Sequence, residues 1–211
     1  MRKQAFPVAY LPPIDYLAHF LAAPNPVIDI YEHWPKRTLR NRAEIASPKG
    51  RYMLSVPVSK DKHHTPAKDV RISYREKWQT NHWRAIKSFY SNSPFFLFYE
   101  QDIKYFFEHR YDRIIDLDLA LMTTLLKLLN IDKQALPSSA YLEKNEISHD
   151  LREYFNHTKD TVLVPKYIQV FEDRQPFLHN LSILDLLFNL GPEARTYLEN
   201  LADKLRSRYS G

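Results

Sequence analysis

The densest chemistry in the chain is a basic run, Lys36-Arg37-Thr38-Leu39-Arg40-Asn41-Arg42, continued by Lys49 and Arg51. Positions 36–51 hold six basic residues against one acid, Glu44. On a strand, Arg40 and Arg42 would share a face, because strand side chains repeat every two residues. A guanidinium fork grips phosphate through two parallel hydrogen bonds, so this pair would suit a diphosphate. The plainer alternative is a solvated edge strand guarded by charge. His82 is the second candidate. It opens a segment carrying Arg84 and Lys87, and a neutral imidazole there could act as general base, its ordinary pKa lying near neutrality. Packing at a helix start is its alternative role. Weaker signals read as structural. His63-His64 are adjacent loop residues that point apart, with no carboxylate at ligand spacing, so no metal site is expected. Ser182-x-x-Asp185 fits a capping box. Asp116 and Asp118 diverge if helical, and Asp at a helix start is ordinary dipole chemistry.

Composition removes several function classes. The chain has 211 residues and no cysteine, which excludes thiol nucleophiles, disulfides and cysteine-based metal sites. Of three glycines, only Gly50 and Gly191 are internal, so no Walker loop, GxGxxG fingerprint or GxSxG elbow can be written. The net charge of +5 is uneven: residues 1–94 carry +9 and residues 95–211 carry −4. A basic half of that kind attracts anions, whether nucleic acid, an anionic membrane or a phosphorylated small molecule. Prolines and Asp15 interrupt any leader-like stretch, and charges break the longest apolar runs, so a cytoplasmic protein without a transmembrane segment is expected.

The elements that must position these residues follow from spacing. Val8-Ala9-Tyr10-Leu11 reads as a first strand stopped by Pro12-Pro13. Ile14 to Leu21 has helical apolar spacing, and Val27 to Tyr31 is β-branched, which makes a βαβ unit. Arg42 to Ile45 and Arg51 to Ser59 form a hairpin around Ser47-Pro48-Lys49-Gly50. Lys60 to Asp69 has no large apolar side chain to offset ordering entropy, so a mobile loop is expected, cleaved first at Lys60, Lys62 or Lys68. A helix from Thr80 places Trp83, Ile86 and Tyr90 on one face. Another spans Phe95 to Phe107, and a third follows the leucine stripe Leu117 to Leu129. Ser139 to Leu142 and Tyr167 to Phe171 read as edge strands. Asn180 to Leu190 is apolar nearly all round, with Gly191 as its stop and Pro192 opening the last helix. The fold class is α/β, a βαβ and hairpin portion followed by a helix-rich portion, with α+β as the alternative. One domain over 1–211 is expected, with a basic half 1–94 and an acidic half 95–211.

Several motifs fall in a familiar order: Tyr10-Leu11-Pro12-Pro13-Ile14-Asp15-Tyr16, then Lys36-x-Thr38-x-Arg40-Asn41-Arg42-x-x-Ile45, then Gly50 before Leu54-Ser55-Val56-Pro57-Val58. Trp78, His82-Trp83, Ser88-x-Tyr90, Ser93-Pro94-x-Phe96 and Asn180 to Asn189 complete the series. The chain resembles the WbqC-like protein family over nearly its whole length. It departs from the frequent opening of that family, having Val8-Ala9 in place of Gln-Pro and Asp15 in place of a glycine. The resemblance implies a role in O-antigen or other surface-polysaccharide biosynthesis, with aminoacyl (glycine) or acyl transfer to a sugar among the expected reactions. It brings no agreed catalytic residues. The expected enzyme is a transferase acting on a nucleotide- or lipid-linked sugar. Lys36, Arg40, Asn41 and Arg42 would bind the phosphates, Tyr10 or Tyr16 would stack on a base or sugar, and His82 would deprotonate the acceptor. The expected partner is a phosphorylated small molecule or nucleotide-sugar, with other polysaccharide-assembly enzymes as a further class; no cofactor is assigned. The alternative is a non-catalytic scaffold or single-stranded nucleic-acid binder using the basic face.

Overall fold

A computed structural model describes residues 2–59, 65–156 and 164–209. Its N-terminal part is the expected βαβ unit: strand β1 (Lys3–Phe6), helix α1 (Ile14–Ala22) and strand β2 (Pro26–Ile28). β1 and β2 are parallel, pairing Gln4 with Pro26 and Phe6 with Ile28. The first strand lies earlier than Val8–Leu11. Its polar opening hides it from a hydrophobicity reading, because Gln4 is buried with its amide fully used. Gln4 Nε2 donates to Ser148 Oγ at 2.9 Å and Gln4 Oε1 accepts from the Asn25 N–H at 2.7 Å. Residues 8–11 instead form a bend, with Leu11 at φ +44° and the Tyr10 N–H on the Leu39 carbonyl.

The hairpin of β3 (Arg42–Ser47) and β4 (Gly50–Ser55) is antiparallel, from Arg42 opposite Ser55 to Ser47 opposite Gly50. Gly50 has φ +105°, a conformation the tight turn requires and a side chain would resist. Arg40 lies before β3, so it does not alternate with Arg42 on one strand face. A short antiparallel pair follows, β5 (Val58–Ser59) with β6 (Arg71–Ile72). Of the loop expected between them, Lys60 to His64 lie outside the described residues. Thr65 to Asp69 is docked rather than free: the Thr65 carbonyl accepts from Trp34, and the Ala67 and Lys68 N–H groups bond Glu32 and Ile30. Backbone pairing thus supplies the ordering that its side chains do not.

Helices α2 (Trp78–Tyr90), α3 (Phe96–Glu108) and α4 (Ile114–Leu128) follow their apolar stripes. The third strand of the first sheet is β7 (Ile147–Asp150), parallel to β1 on the side opposite β2. It runs into α5 (Leu151–Tyr154). Neither 139–142 nor 167–171 is a strand. Tyr167 and Gln169 turn inward instead, and with Tyr90 they donate to the carboxylate of Asp185. That inward turn also revises the capping box. Ser182 caps α6 (Ile183–Leu190) by accepting from the Leu184 N–H, but Asp185 faces the core. Gly191 ends α6 at φ +54°, where an added Cβ would lie 2.4 Å from the Phe95 ring. Pro192 then sits just before α7 (Glu193–Arg206). One buried apolar cluster joins residues from Phe6 to Tyr209, drawing on both the basic and the acidic half. The architecture is mixed α/β, with small N-terminal sheets followed by helices.

Arg40 is wholly enclosed in this frame. Its Nε and Nη2 donate to the two carboxylate oxygens of Glu32 at 2.7 and 2.6 Å, while its Nη1 reaches Thr38 Oγ1 and Asn156 Oδ1. Removing one member of such a pair strands a buried charge, at a cost of roughly 3–5 kcal/mol, whereas an apolar pair of similar volume is often tolerated. Arg40→Ala is therefore expected to lower unfolding free energy in urea by about that amount, and Arg40→Met/Glu32→Leu to recover most of it. Near-wild-type stability of Arg40→Ala would show that the pair constrains nothing.

Candidate functional site

A cleft of about 460 Å³ opens between the first turn of α1, the loop at 37–39, the hairpin, the end of α5 and the segment leading into α6. Its walls include Leu11, Asp15, Arg37, Thr38, Arg42, Glu44, Asn156, Asn180 and Ser182. Backbone bonds stitch these segments together. The Ile14 N–H bonds the Leu181 carbonyl at 3.1 Å, Ile183 bonds Pro12 at 2.8 Å, and Ser182 bonds Glu44 at 2.8 Å. The Asp15 N–H donates to Asn180 Oδ1 at 2.9 Å.

The backbone around this cleft is strained. Four described non-glycine residues have positive φ, and three of them line it: Leu11 at +44°, Arg37 at +59° and Asn180 at +51°. The fourth, Asn130, follows the end of α4, where a left-handed cap is ordinary. Left-handed backbone costs a bulky residue such as Leu or Arg roughly 1–3 kcal/mol and persists only where the surroundings enforce it, a pattern concentrated at functional sites.

The cleft offers charges of both signs. Arg37 is exposed and Arg42 half-buried, and the Nε of Arg42 is buried with no hydrogen-bond partner among the described residues. Arg51 is committed to Glu44 and to the His179 carbonyl. Asp15 is fully buried, and neither carboxylate oxygen has a hydrogen-bond partner of acceptable geometry among the described residues. Burial pushes its carboxyl up to about 6, although Asn180 and the N–H groups of the first helical turn pull the other way. Removal from water here outweighs the helix start, which by itself favours a negative charge.

The residues singled out by sequence are spread more widely than expected. Arg42 lines the cleft. Lys36 is exposed and outside the described lining, and Arg40 lies beneath the wall with its fork spent on Glu32. Asn41 is buried, its Nδ2 donating to the Val56 carbonyl at 2.8 Å. Tyr10 and Tyr16 are enclosed rather than open to stacking, and the Tyr16 hydroxyl donates to the Pro7 carbonyl at 2.7 Å. His82 is buried, with Tyr10 Oη 2.9 Å from its Nδ1 and the Ser55 N–H donating to its Nε2 at 3.2 Å. Since Nε2 accepts, the ring proton is assigned to Nδ1. Burial lowers its pKa to about 4. Both nitrogens are thus occupied in fastening α2 to the Tyr10 bend and to β4, and the described lining does not include His82.

Composition did not bring out Asp15, Arg37 and Asn180 as a set. An acid in the first turn of a helix has an ordinary dipole reading, and only the strained bend before it turns Asp15 into a cleft wall. His63 and His64 lie outside the described residues. Among the described residues no group of three or more His, Cys, Asp or Glu could hold a metal ion, and no helix is long and apolar enough to cross a membrane.

Asp15 supplies a pH test. Its folded pKa of about 6 lies above the ordinary carboxylate value. The native state therefore binds its proton more tightly, and the associated stability is full below about pH 4 and lost as pH rises through 6. Asp15→Asn removes that loss, so its stability relative to wild type should climb between pH 4 and 7 and level off at up to about 3 kcal/mol. Urea titrations at a series of pH values give the difference. A difference that does not change with pH would mean that the carboxyl is not desolvated.

The model of the WbqC-like protein family matches residues 8–164. No curated protein and no solved structure matches the chain. The matched segment carries the Tyr10–Asp15 bend, the Arg37–Arg42 wall and Asn156, and it spans well over half of the sequence: the chain belongs to the WbqC-like protein family.

Proposed function

We propose that this protein is a transferase of surface-polysaccharide assembly, of the O-antigen kind, and that the cleft binds the phosphate of a nucleotide- or lipid-linked sugar. The observation that carries this reading is Arg42, a guanidinium at the cleft wall whose buried Nε lacks a partner. Buried donors are almost always satisfied, and an orphan donor on a residue that lines a cavity supports an acceptor brought by a ligand. A phosphate oxygen is well matched to a guanidinium edge. Arg37 on its strained turn adds a second cation at the same rim. A cleft of about 460 Å³ falls in the range of small-molecule sites. Family membership supports the polysaccharide setting.

The nucleic-acid alternative needs exposed aromatic faces beside the basic run. Tyr10 and Tyr16 are enclosed in the core, so they offer no such platform.

Calorimetric titration of uridine diphosphate glucose and of inorganic pyrophosphate tests the anion site. A charge-assisted hydrogen bond contributes about 1.5–3 kcal/mol, so Arg37→Ala/Arg42→Ala should weaken both ligands by at least about tenfold. Arg75→Ala, exposed and outside the described lining, should bind as wild type. Equal affinity in the double variant, or no binding by the wild type, would remove this function from the cleft.

A further inference from the structure

Among the described residues, the buried carboxylates have hydrogen-bond partners, with two exceptions. Asp29 receives the Tyr31 N–H, Ser138 Oγ and Arg152; Glu32 receives the Arg40 fork; Asp185 receives Tyr90, Tyr167 and Gln169. The exceptions are Asp118 and Asp15. Asp118 is enclosed among Val8, Ala9, Ile28 and Met122 beside a crevice too small for a ligand. Asp15 lines the cleft.

Asp15 has no ion pair among the described residues, and the groups that favour its ionised form are polar ones, Asn180 and the N–H groups of the first helical turn. The charged residues of the described lining are Arg42 and Glu44 on β3, Arg51 on β4 and Arg37 on its loop, with His179 and Asn180 before α6. None of them forms an ion pair with Asp15; Arg51 is held by Glu44, and Asn180 spends its Oδ1 on the Asp15 N–H. Burial raises the carboxyl to about 6, and a cation brought beside such a group favours its ionised form. The lining thus combines a buried carboxyl that has no ion pair with two guanidinium groups, Arg42 and Arg37, that also have none among the described residues. A buried charge is retained only where something compensates it.

We infer that the cleft selects a sugar phosphate bearing a free, protonated amine, with the phosphate on Arg42 and Arg37 and the ammonium on the carboxylate of Asp15. This rests on the anion-site reading above and adds the second end of the ligand. Asp15 is then a specificity-determining residue: a hydroxyl can donate one neutral hydrogen bond there, whereas an ammonium supplies both charge and several donors. A site built around a buried polar group discriminates strongly against ligands that leave it unpaired.

Three ligands differing at one sugar carbon test this by calorimetry at pH 7: uridine diphosphate glucosamine, uridine diphosphate glucose and uridine diphosphate N-acetylglucosamine. Wild type should bind the free amine at least tenfold tighter than the other two. In Asp15→Asn and Asp15→Ala that ratio should fall to near one, with thermal melts confirming that both variants are folded. Wild-type binding of all three at equal affinity overturns the amine inference and leaves the anion site standing. A preference that survives in Asp15→Asn also overturns it, because the selecting group is then another residue. Failure of the wild type to bind any of the three overturns the anion-site reading and the amine inference together.

Discussion

The fork between Arg40 and Glu32 is the constraint on which the cleft depends. Sealed from water, it fixes Thr38 and Asn156 through the second arm of the same guanidinium, and both of those residues are cleft walls. Its Nη2 also reaches the Arg152 carbonyl. Arg152 in turn grips Asp150 with two nitrogens and Asp29 with a third. Two buried arginines thus bolt the end of the parallel sheet and helix α5 to the segment that carries the basic run. Burial holds Glu32 above the usual carboxylate range even with Arg40 beside it. The pair returns little net stability, and its contribution is geometry: a planar fork accepts only a narrow set of orientations.

Around that anchor the protein keeps features that cost free energy. Leu11 and Arg37 sit in left-handed backbone, Asp15 is dehydrated without an ion pair among the described residues, and Arg42 has an unsatisfied donor. Buried polar atoms without partners also lie elsewhere among the described residues, at Trp78 and Asp118 among others, but the left-handed backbone of Leu11, Arg37 and Asn180 meets in one cavity, held by main-chain bonds between 12–15 and 181–183. The stability of the core tolerates them because it is continuous, with Tyr90 and Asp185 tying α2, β3 and α6 into one packed unit.

Much of this fold was legible in the sequence, and the failures have physical causes. Wherever apolar spacing governs, as in α1, the leucine stripe of α4, the hairpin and the Gly191 stop, the reading and the structure agree. Strand β1 escaped because Lys3 and the buried Gln4 begin it, and β7 because Ser148, His149 and Asp150 follow its single apolar residue, Ile147. At Gln4 hydrogen bonds replace hydrophobicity as the reason for burial, whereas Ser148 is exposed and His149 only half-buried. The basic run was visible as charge, but charge does not reveal its partner. Glu32 is eight positions upstream of Arg40, and only the chain reversal between them turns an apparent anion-binding residue into a structural one. His82 likewise looked available until Tyr10, 72 residues away in sequence, and the Ser55 N–H took its two nitrogens. Side-chain partnerships across such distances have no periodicity to betray them.

The position of β1 at the centre of its sheet sets the order in which the molecule can assemble. One neighbour, β2, follows after a single helix, so the first parallel pair closes over a short loop. The other, β7, pairs Lys3 with Ile147 and arrives only after most of the helices have been laid down. Contacts so distant in sequence carry a large closure entropy and form late. Until they form, one edge of β1 is open, α5 is not yet delivered beneath the cleft, and Arg40 has lost its contacts to Arg152 and Asn156. During synthesis, then, the basic half is made first but its cleft takes shape last, when the acidic half comes back to close the sheet.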